Sequence, residues 1–279
     1  MVSSKKNKAV RYMLIYGILG VSLIFTIFPI YWMLKSSLSP NELMYSPRPD
    51  LWPKAITFEH YEKLFANTSF AQNLVNSLFV AGVTTVLCLV VSIGASYAMT
   101  RLQFPGRRFF QKSILLSYLL PTAVMFIPMY VAVSALGFND NKNGLFIIYP
   151  TFVVPYCCYM LMSYFRSIPY SLEEAAMIDG CTRLQSMLRI VVPIALPGIA
   201  VVATFAFTMS WNEFLYAMIM TTKPAEQTVT AAISSFRYAD HTIWGQLMSA
   251  SVVASLPVVV IYLVAQSMLI SGKTDGSVK

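Results

Sequence analysis

The segment VLCLVVSIGASYAM, residues 86–99, decides the fold class of this chain. It contains no charged residue, and its apolar residues do not alternate with polar ones as they do in a membrane β-barrel strand. The apolar run continues toward the N-terminus as far as residue 74. A stretch of about 20 such residues is long enough to cross the hydrocarbon core of a bilayer as a helix. The segment therefore predicts a transmembrane helix over residues 74–99.

The rest of the chain has a similar composition. Of its 279 residues, 57% are hydrophobic and only 11% are charged, whereas soluble domains carry about 25% charged residues. Lipid-exposed backbone must satisfy its own hydrogen bonds, which helices do within one segment. We therefore predict an all-α membrane protein with six transmembrane helices, at residues 12–34, 74–99, 113–135, 144–165, 196–220 and 247–270.

The placement of Lys and Arg predicts the orientation of these helices. Thirteen of the 20 basic residues lie in the two tails and in the loops 101–112 and 166–195. The other seven lie in the remaining three loops, and each of these loops contains as many acidic residues as basic ones. Because cytoplasmic loops are enriched in Lys and Arg, both termini are expected in the cytoplasm. This topology also explains the net charge of +8, so no nucleic-acid partner is expected.

The spans divide the chain into a membrane core with short flanking segments. The first span is too long for a signal peptide and lacks a small-residue cleavage site, which favours a retained helix. The segment TFEHYEKLFAN, residues 57–67, predicts a short amphipathic helix with Phe58, Tyr61 and Phe65 on one face. The expected organisation is a cytoplasmic tail (1–11), a first transmembrane helix (12–34), an external loop (35–73), a five-helix core (74–270) that includes the cytoplasmic loop 166–195, and a cytoplasmic tail (271–279).

No residue pattern indicates an enzyme. The two histidines, His60 and His241, fall in external segments, and the four cysteines have no metal-ligand spacing. The sequence GKT at 272–274 lacks the glycine that a phosphate-binding loop requires five residues earlier, where Ser267 stands. We therefore expect no catalytic residue, no metal site and no cofactor.

Glu213, in SWNEFLYA (210–217), is the one ionisable residue that falls well inside a predicted span. A charge at this depth is costly, so a functional role is the default hypothesis. The alternative is that Glu213 is protonated, or paired with a neighbouring helix, and only stabilises packing. A proton-coupled secondary transporter would usually carry more acidic or basic groups in its spans.

The loop 166–195 contains the charged segment SLEEAAMIDG, residues 171–180. Ser171 and Glu174 have the S-x-x-E spacing of a capping box, which predicts a helix start at Ser171. Asp179-Gly180 is a turn signal that ends this helix. A second helix is expected from Thr182 to Val191, with an apolar stripe formed by Leu184, Met187, Leu188 and Val191.

Helices this short are marginal in isolation, so they need support from the membrane surface, their own spans or a partner protein. On these physical grounds alone an amphipathic linker at the membrane surface is favoured over a partner-binding element.

The stretch EEAAMIDGCTRLQSMLRIVVPIALPG, residues 173–198, resembles the EAA loop of ABC importer permeases. The family pattern has a leucine directly before the proline that is matched here by Pro193, and Val192 stands in its place. Residues 76–108, 211–217 and 243–262 are similar to the carbohydrate group of this family, and the tail 273–279 resembles that of maltose-type permeases. The resemblance spans residues 12–279 and is carried in the loop by Glu174, Ala175, Ala176, Gly180, Ile190 and Pro193.

This resemblance implies a type I importer permease fold in a bacterial cytoplasmic membrane. The implied partners are a second homologous permease subunit, two ATP-binding cassette subunits, an extracytoplasmic sugar-binding protein and membrane lipid. The tail residues Gly276 and Lys279 would lie between the ATPase subunits, with a solvated tail as the alternative. The loop residues implied to contact the ATPase are Glu174, Ala175, Ala176, Asp179, Gly180, Ile190 and Pro193.

The implied activity is ATP-driven import of a carbohydrate, with an oligosaccharide as the expected substrate. A polyol or a glycerol-phosphate-like solute is an alternative within the family. A stand-alone secondary carrier and a structural subunit of a membrane assembly are alternatives outside it. Trp211, Asn212 and Glu213 are candidates for the translocation path, although the partner subunit could supply most substrate contacts.

Overall fold

The structure, a computed structural model, describes residues 5–46, 50–237 and 243–274, with side chains described between residues 11 and 266. A 3₁₀ turn over Lys142–Gly144 and a π-helical turn over Met187–Val191 accompany the α-helices. The α-helices of the described residues are α1 (Lys5–Ser37), α2 (Asn41–Met44), α3 (Glu59–Asn67), α4 (Phe70–Arg101), α5 (Arg107–Tyr118), α6 (Thr122–Ala135), α7 (Leu145–Ser167), α8 (Ser171–Ile178), α9 (Arg183–Ser186), α10 (Val192–Ile194), α11 (Leu196–Asn212), α12 (Leu215–Met220), α13 (Val229–Ser234) and α14 (Trp244–Thr274).

Four stretches of helix are long and apolar enough to cross a membrane: Arg11–Ser37, Phe70–Arg101, Lys142–Ser167 and Trp244–Gln266. Two further pairs of helices reach the required length together but are bent, by 99° between α5 and α6 and by 80° between Arg183–Ile194 and α11. The described residues therefore contain four candidate spans, or up to six if each bent pair is one span. The all-α prediction is confirmed.

The prediction of one continuous helix over residues 113–135 is wrong. The chain forms α5 and α6 instead, with a break between Tyr118 and Thr122. Pro121 has no backbone N–H and disfavours helical geometry at the residue before it. The N–H groups of Leu119 and Leu120 therefore close the end of α5 by bonding to the carbonyls of Leu116 and Ser117 at 3.1 and 3.3 Å.

The predicted helix over residues 196–220 is also interrupted. The helix α11 ends at Asn212, Glu213 is extended with φ −68° and ψ 129°, and the short α12 begins at Leu215. The physical reason lies in the contacts of the Glu213 side chain, which are described with the candidate site below.

The described residues divide into two compact units, one within Met1–Thr68 and Ser235–Val253 and the other within Ser69–Ser234 and Ala254–Lys279. In the second unit α4, α7 and α11 pack around an apolar core. Gly198 in α11 lies against the ring of Tyr164 in α7, so close that a Cβ atom at residue 198 would be 2.5 Å from Tyr164 Cδ2. The hydroxyl of Ser96 in α4 donates to the carbonyl of Cys158 in α7 at 3.1 Å.

The first unit contains α1, α2, α3 and the beginning of α14. The apolar side chains of α1 between Tyr12 and Ile30 are exposed. The predicted amphipathic helix forms as α3, but its buried side chains are His60 and Leu64, whereas Phe58 and Phe65 are exposed. The His60 imidazole Nε2 lies 2.9 Å from the carbonyl of Ser39. The buried face of α3 therefore lies against the segment that follows α1 and, at the His60 ring, against Gly245 of α14, and it does not carry the largest apolar side chains.

Candidate functional site

The helix α8, in the loop between α7 and α11, runs from Ser171 to Ile178 and begins at the predicted residue. Gly180 has φ +93°, a left-handed conformation that glycine adopts without steric cost. The N–H of Gly180 donates to Met177 O at 3.1 Å and the N–H of Cys181 donates to Ala176 O at 3.0 Å. This is the hydrogen-bond pattern of a Schellman motif, so the predicted turn at Asp179-Gly180 is confirmed.

The predicted capping box at Ser171 and Glu174 is wrong, because the N-terminus of α8 has no side-chain cap. Tyr170 already has helical dihedral angles, φ −66° and ψ −26°, which places Ser171 at the first helical position. A capping residue needs extended backbone angles. The box forms one helix later, where Thr182 is extended and its side chain and that of Gln185 exchange hydrogen bonds with each other's backbone N–H.

The two faces of α8 differ in environment. Glu174 and Ala175 are exposed, as are Asp179 and Gly180 in the turn that follows. Ile178, at the end of the helix, is 85% exposed. Ala176 is only 7% exposed and faces the fold. The outer surface of α8 thus presents acidic groups beside two exposed large apolar side chains, Leu172 and Ile178, a combination suited to a protein partner.

The second predicted helix forms as α9 followed by the π-helical turn Met187–Val191. Its expected apolar stripe is divided. Met187 and Val191 pack into the core around α4, α7 and α11, whereas Leu184 and Leu188 are 61% and 54% exposed. Of the remaining predicted loop residues, Ile190 is half-buried and Pro193 is exposed.

Glu173, next to Glu174, is a site residue that sequence reasoning missed. Its side chain is fully buried, and its Oε1 lies 2.6 Å from Nε of Arg101 at the end of α4. The geometry is that of a close ion pair rather than a well-aligned hydrogen bond, and neither of these two atoms has another hydrogen-bond partner. The hydroxyl of Tyr97 donates to Glu173 Oε2 at 2.8 Å.

Arg101 also connects α7 to this cluster. Its Nη2 donates to the carbonyls of Phe165 and Ile168, both at 2.8 Å, which satisfies two acceptors at the C-terminal end of α7. Its guanidinium lies 5.7 Å from the centre of the Tyr170 ring. Removing one partner of a buried ion pair costs about 3–5 kcal/mol because the other charge is left unpaired. The available sequence signal was an arginine at the end of an apolar span combined with two adjacent glutamates.

Glu213 caps α12. Its Oε1 accepts from the N–H of Tyr216 at 3.0 Å, and its Oε2 accepts from the N–H of Ala217 at 3.1 Å and from the hydroxyl of Tyr149 at 3.0 Å. The hydroxyl of Thr230 donates to the backbone carbonyl of Glu213 at 2.7 Å. The carboxylate thus replaces hydrogen bonds that the backbone loses at the break between α11 and α12, which favours the packing alternative for this residue.

A cavity of about 360 Å³ lies beside this break. Two of its aromatic rings, those of Phe152 and Tyr216, stack with centroids 6.1 Å apart. The hydroxyl of Tyr216 donates to the carbonyl of Thr122 at 2.9 Å, joining α12 to the start of α6. The cavity is lined by Thr122, Phe152, Phe205, Thr208, Met209, Asn212, Glu213 and Tyr216.

The three path candidates therefore have different positions. Asn212 and Glu213 line the cavity, whereas Trp211 does not. Trp211 is 3% exposed, and its indole Nε1 donates to the carbonyl of Ala254 in α14 at 3.1 Å. Trp211 packs α11 against α14, and only its two neighbours can contact a solute in this cavity.

The segment after α12 is fixed by polar contacts. Asp140 Oδ1 accepts from the N–H of Thr222 at 2.6 Å and from the N–H of Lys223 at 3.0 Å. Burial raises the pKa of Asp140, but the hydrogen bonds from Lys223 and Thr222 outweigh it, so that its pKa lies below the usual value. The side-chain amides of Asn73 and Asn76 in α4 donate to the carbonyls of Pro224, Ala225 and Gln227 at 2.6–3.0 Å.

The predicted tail residues Gly276 and Lys279 lie outside the described residues. Within the described part of the chain, no group of three or more His, Cys, Asp or Glu side chains is placed to hold a metal ion.

Comparison with known proteins gives consistent relatives. Residues 90–272 match the family described as binding-protein-dependent transport system inner membrane component. An inner membrane ABC transporter permease protein of Escherichia coli (strain K12) is 35% identical over 263 residues, 94% of this chain and 94% of that protein. A trehalose transport system permease protein of Mycobacterium tuberculosis (strain CDC 1551 / Oshkosh) is 32% identical over 259 residues, 91% of this chain and 93% of that protein.

Solved structures share the fold. A chain from the crystal structure of a bacterial ABC transporter involved in the import of the acidic polysaccharide alginate matches with a TM-score of 0.82 at 22% sequence identity. The match covers 96% of this chain and 99% of that one. The chain is therefore a multi-pass inner-membrane protein with the fold of an ABC importer permease, and it belongs to the family of binding-protein-dependent transport system inner membrane components.

Proposed function

We propose that this chain is the permease subunit of an ATP-driven, binding-protein-dependent importer for a carbohydrate, most simply an oligosaccharide. The observation that carries the proposal is the exposed face of α8. This short segment of a predominantly apolar membrane chain exposes two acidic side chains, Glu174 and, just after the helix, Asp179, together with Ile178, which is 85% exposed. The names of relatives support the substrate class, because they include permeases for trehalose, diacetylchitobiose and trehalose/maltose.

The proposed assembly contains a second homologous permease subunit, two ATP-binding cassette subunits and an extracytoplasmic sugar-binding protein. The six spans form with both termini in the cytoplasm, and ATP hydrolysis takes place on the partner subunits. Glu174, Ala175, Asp179 and Gly180 contact the ATPase directly, with Ile178 as the apolar anchor. Ala176 faces the fold and permits close packing behind this surface, while Ile190 and Pro193 form the far end of the loop.

Transport follows from a shift between two states. ATP binding favours one arrangement of the ATPase subunits, and the contact with α8 transmits that preference to the membrane helices. The ATPase can shift the equilibrium of the permease only by the difference in free energy of this contact between the two states.

The cavity beside Glu213 forms part of the translocation path in this proposal. Aromatic faces of Phe152, Phe205 and Tyr216 suit the apolar faces of a sugar ring, and Asn212 supplies polar contacts to hydroxyl groups. No basic side chain is among the residues that line it. This lining favours a neutral sugar over a glycerol-phosphate-like anion, although a neutral polyol remains the second candidate.

The C-terminal tail extends the ATPase contact in this proposal. Gly276 and Lys279 lie between the two ATPase subunits, as the resemblance of residues 273–279 to maltose-type tails implies. Deleting residues 275–279 would then lower sugar-stimulated ATPase activity without preventing membrane insertion.

The proposal is tested by purifying the tagged chain with its partners and measuring ATPase activity against a panel of saccharides in proteoliposomes. We expect copurified ATPase subunits and stimulation by one class of oligosaccharide in the presence of the binding protein. Uptake by this chain alone, driven by an ion gradient, would establish a secondary carrier instead. A stable complex without any sugar-stimulated hydrolysis would indicate a structural subunit.

The variant Ile178→Asp sharpens this test. We expect loss of the copurified ATPase, because a charge replaces the apolar anchor. The matched control is Leu136→Asp, since Leu136 is 65% exposed, directly follows the end of α6 that is opposite the bend, and lies far from α8 in the sequence. Equal ATPase recovery with both variants would contradict the proposed docking surface.

A further inference from the structure

We infer that Glu173, Arg101 and Tyr97 form a buried clamp that holds α8 as one rigid body with the C-terminal ends of α4 and α7. The inference rests on the proposed function, because it concerns how motion of α8 reaches the membrane helices. The three residues are positioning residues and do not themselves contact the ATPase.

The clamp joins three helices through one carboxylate and one guanidinium. The two oxygens of Glu173 are engaged by two different residues of α4, Oε1 by Arg101 at 2.6 Å and Oε2 by Tyr97 at 2.8 Å. The same guanidinium donates to the carbonyls of Phe165 and Ile168 at the end of α7. The guanidinium of Arg101 therefore links α8 and α7 to α4, and the hydroxyl of Tyr97 adds a hydrogen bond from α4 to α8.

Burial makes these contacts restrictive. Glu173 is fully buried, and the side chains of the ion pair are 8% and 1% exposed for Arg101 and Glu173. Water is not available there to replace a broken contact, so a displacement of α8 would leave a buried charge unpaired. An exposed ion pair, in contrast, could separate at little cost.

Apart from the clamp, α8 packs against α9 and the π-helical turn Met187–Val191 of the same loop. Of its eight residues, only Glu173 and Ala176 are buried. Ala176 offers a single methyl group, which limits sliding very little. The clamp is therefore the polar side-chain attachment of α8 to α4 and, through Arg101, to the end of α7, and its loss would let the helix move without moving α4 and α7.

The rigidity is measured by double electron–electron resonance between two nitroxide labels in the assembled importer. One label is placed on Cys181, three residues after the end of α8, and the other on Gln103→Cys, two residues after the end of α4. The remaining cysteines, Cys88, Cys157 and Cys158, are 0–1% exposed and do not react. We expect a narrow distance distribution that is unchanged between the nucleotide-free and ATP-bound states.

The variant Glu173→Gln removes the charge and keeps the shape of the side chain. We expect a broadened distribution, and we expect the number of sugar molecules imported per ATP hydrolysed to fall about fivefold or more, while the ATPase still copurifies. The matched control is Glu174→Gln, the same change at the adjacent exposed position. It should weaken recovery of the ATPase but leave the distance distribution narrow.

Tyr97→Phe keeps the test decisive if Glu173→Gln does not assemble. It removes one hydroxyl from the clamp and retains the ring, and we expect an intermediate broadening with a smaller loss of coupling. An unchanged distribution and unchanged transport per ATP in the assembled clamp variants would overturn the inference. A distance that shifts between nucleotide states in the unmodified chain would overturn it as well.

These experiments distinguish failure of this inference from failure of the proposed function. If no ATPase copurifies with the unmodified chain, the proposed function fails. The distance distribution of the labelled chain in nanodiscs still shows whether the clamp is rigid.

Discussion

Glu173 and Glu174 are adjacent and chemically identical, yet they have opposite environments. Glu173 is fully buried against Arg101, whereas Glu174 is exposed. Successive residues of a helix are about 100° apart, so one of two neighbours can face the fold while the other faces solvent. At the residue scale, the position of each side chain on its helix decides whether it positions the loop or contacts a partner.

Gly198→Ala should destabilise the second unit by about 1–3 kcal/mol, because overpacking of a tight contact forces side chains from their preferred positions. The added methyl would meet the Tyr164 ring at 2.5 Å. The midpoint of thermal unfolding in detergent measures this. Gly82→Ala is the matched control, since nothing lies within 4 Å of its Cβ position. A lower midpoint for both variants would point to a general intolerance of alanine instead.

Glu213→Gln should lower stability by about 1–3 kcal/mol, because an amide cannot accept from both backbone N–H groups that the carboxylate now satisfies. Glu213→Ala should cost more. Unfolding in detergent reports the loss. Asn212→Ala is the contrasting control: it lines the cavity without capping a helix, so it should weaken sugar uptake and leave the unfolding midpoint unchanged. A stable Glu213→Gln protein with abolished uptake would restore a direct functional role.

At the element scale, α8 is defined more by its end than by its beginning. The left-handed Gly180 stops the helix through two backbone hydrogen bonds, while the N-terminus has no side-chain cap. The exposed Ile178 and Asp179 stand directly at this end. A helix whose C-terminus is fixed presents its tip in one orientation, which a docking element requires.

Gly180→Pro should uncouple ATP hydrolysis from sugar uptake while leaving the spans inserted. Proline fixes φ near −65°, against +93° at this residue, and removes the N–H that bonds to Met177 O. Uptake and hydrolysis in proteoliposomes measure the ratio.

Glu174→Lys, a reversal of charge on the exposed face of α8, should also uncouple ATP hydrolysis from sugar uptake. The matched control for Gly180→Pro is Gly137→Pro, because Gly137 also has a positive φ, +87°, and follows the end of α6. Normal uptake by both loop variants would refute the coupling role.

Asp140→Asn should loosen the segment at Thr222 and Lys223 at neutral pH. The pKa of Asp140 is lowered in the folded state, so its contribution to stability is present above the unfolded pKa of about 3.9 and is lost as pH falls through the folded value. Amide hydrogen exchange of residues 222 and 223 should therefore differ between the two proteins at pH 7 and converge at strongly acidic pH. Lys223→Met should change exchange less, because the backbone N–H supplies the shorter contact. A difference that persists in acid would contradict this.

At the scale of the whole molecule, the distribution of charge sets the orientation in the membrane. The basic residues cluster in the segments predicted to be cytoplasmic, and α8 lies in one of these. A cytoplasmic position of α8 is required for contact with a nucleotide-hydrolysing partner. The orientation is therefore the global property on which the proposed function depends most directly.

Cys181 is a native reporter of this orientation. It is half-buried, whereas the other three cysteines are 0–1% exposed. A membrane-impermeant maleimide should label Cys181 in inside-out vesicles and fail to label it in right-side-out vesicles. Cys181→Ser should remove the label altogether. Labelling from the outside would reverse the predicted topology.

The sequence by itself determined the helical membrane fold, the short helix before Gly180 and the resemblance to importer permeases. These properties depend on local composition and spacing, which are complete within one segment. It did not determine the 99° bend near Pro121, because a proline in an apolar run is compatible with either a kink or a full break. Only the tertiary structure decided that Glu173 contacts Arg101 and Tyr97 and that Glu213 accepts from the hydroxyl of Tyr149. The hydrogen bonds of these carboxylates to Tyr97 and Tyr149 join residues 76 and 64 positions apart in the chain, and a carboxylate inside the fold is satisfied by whichever partner the packing brings within reach.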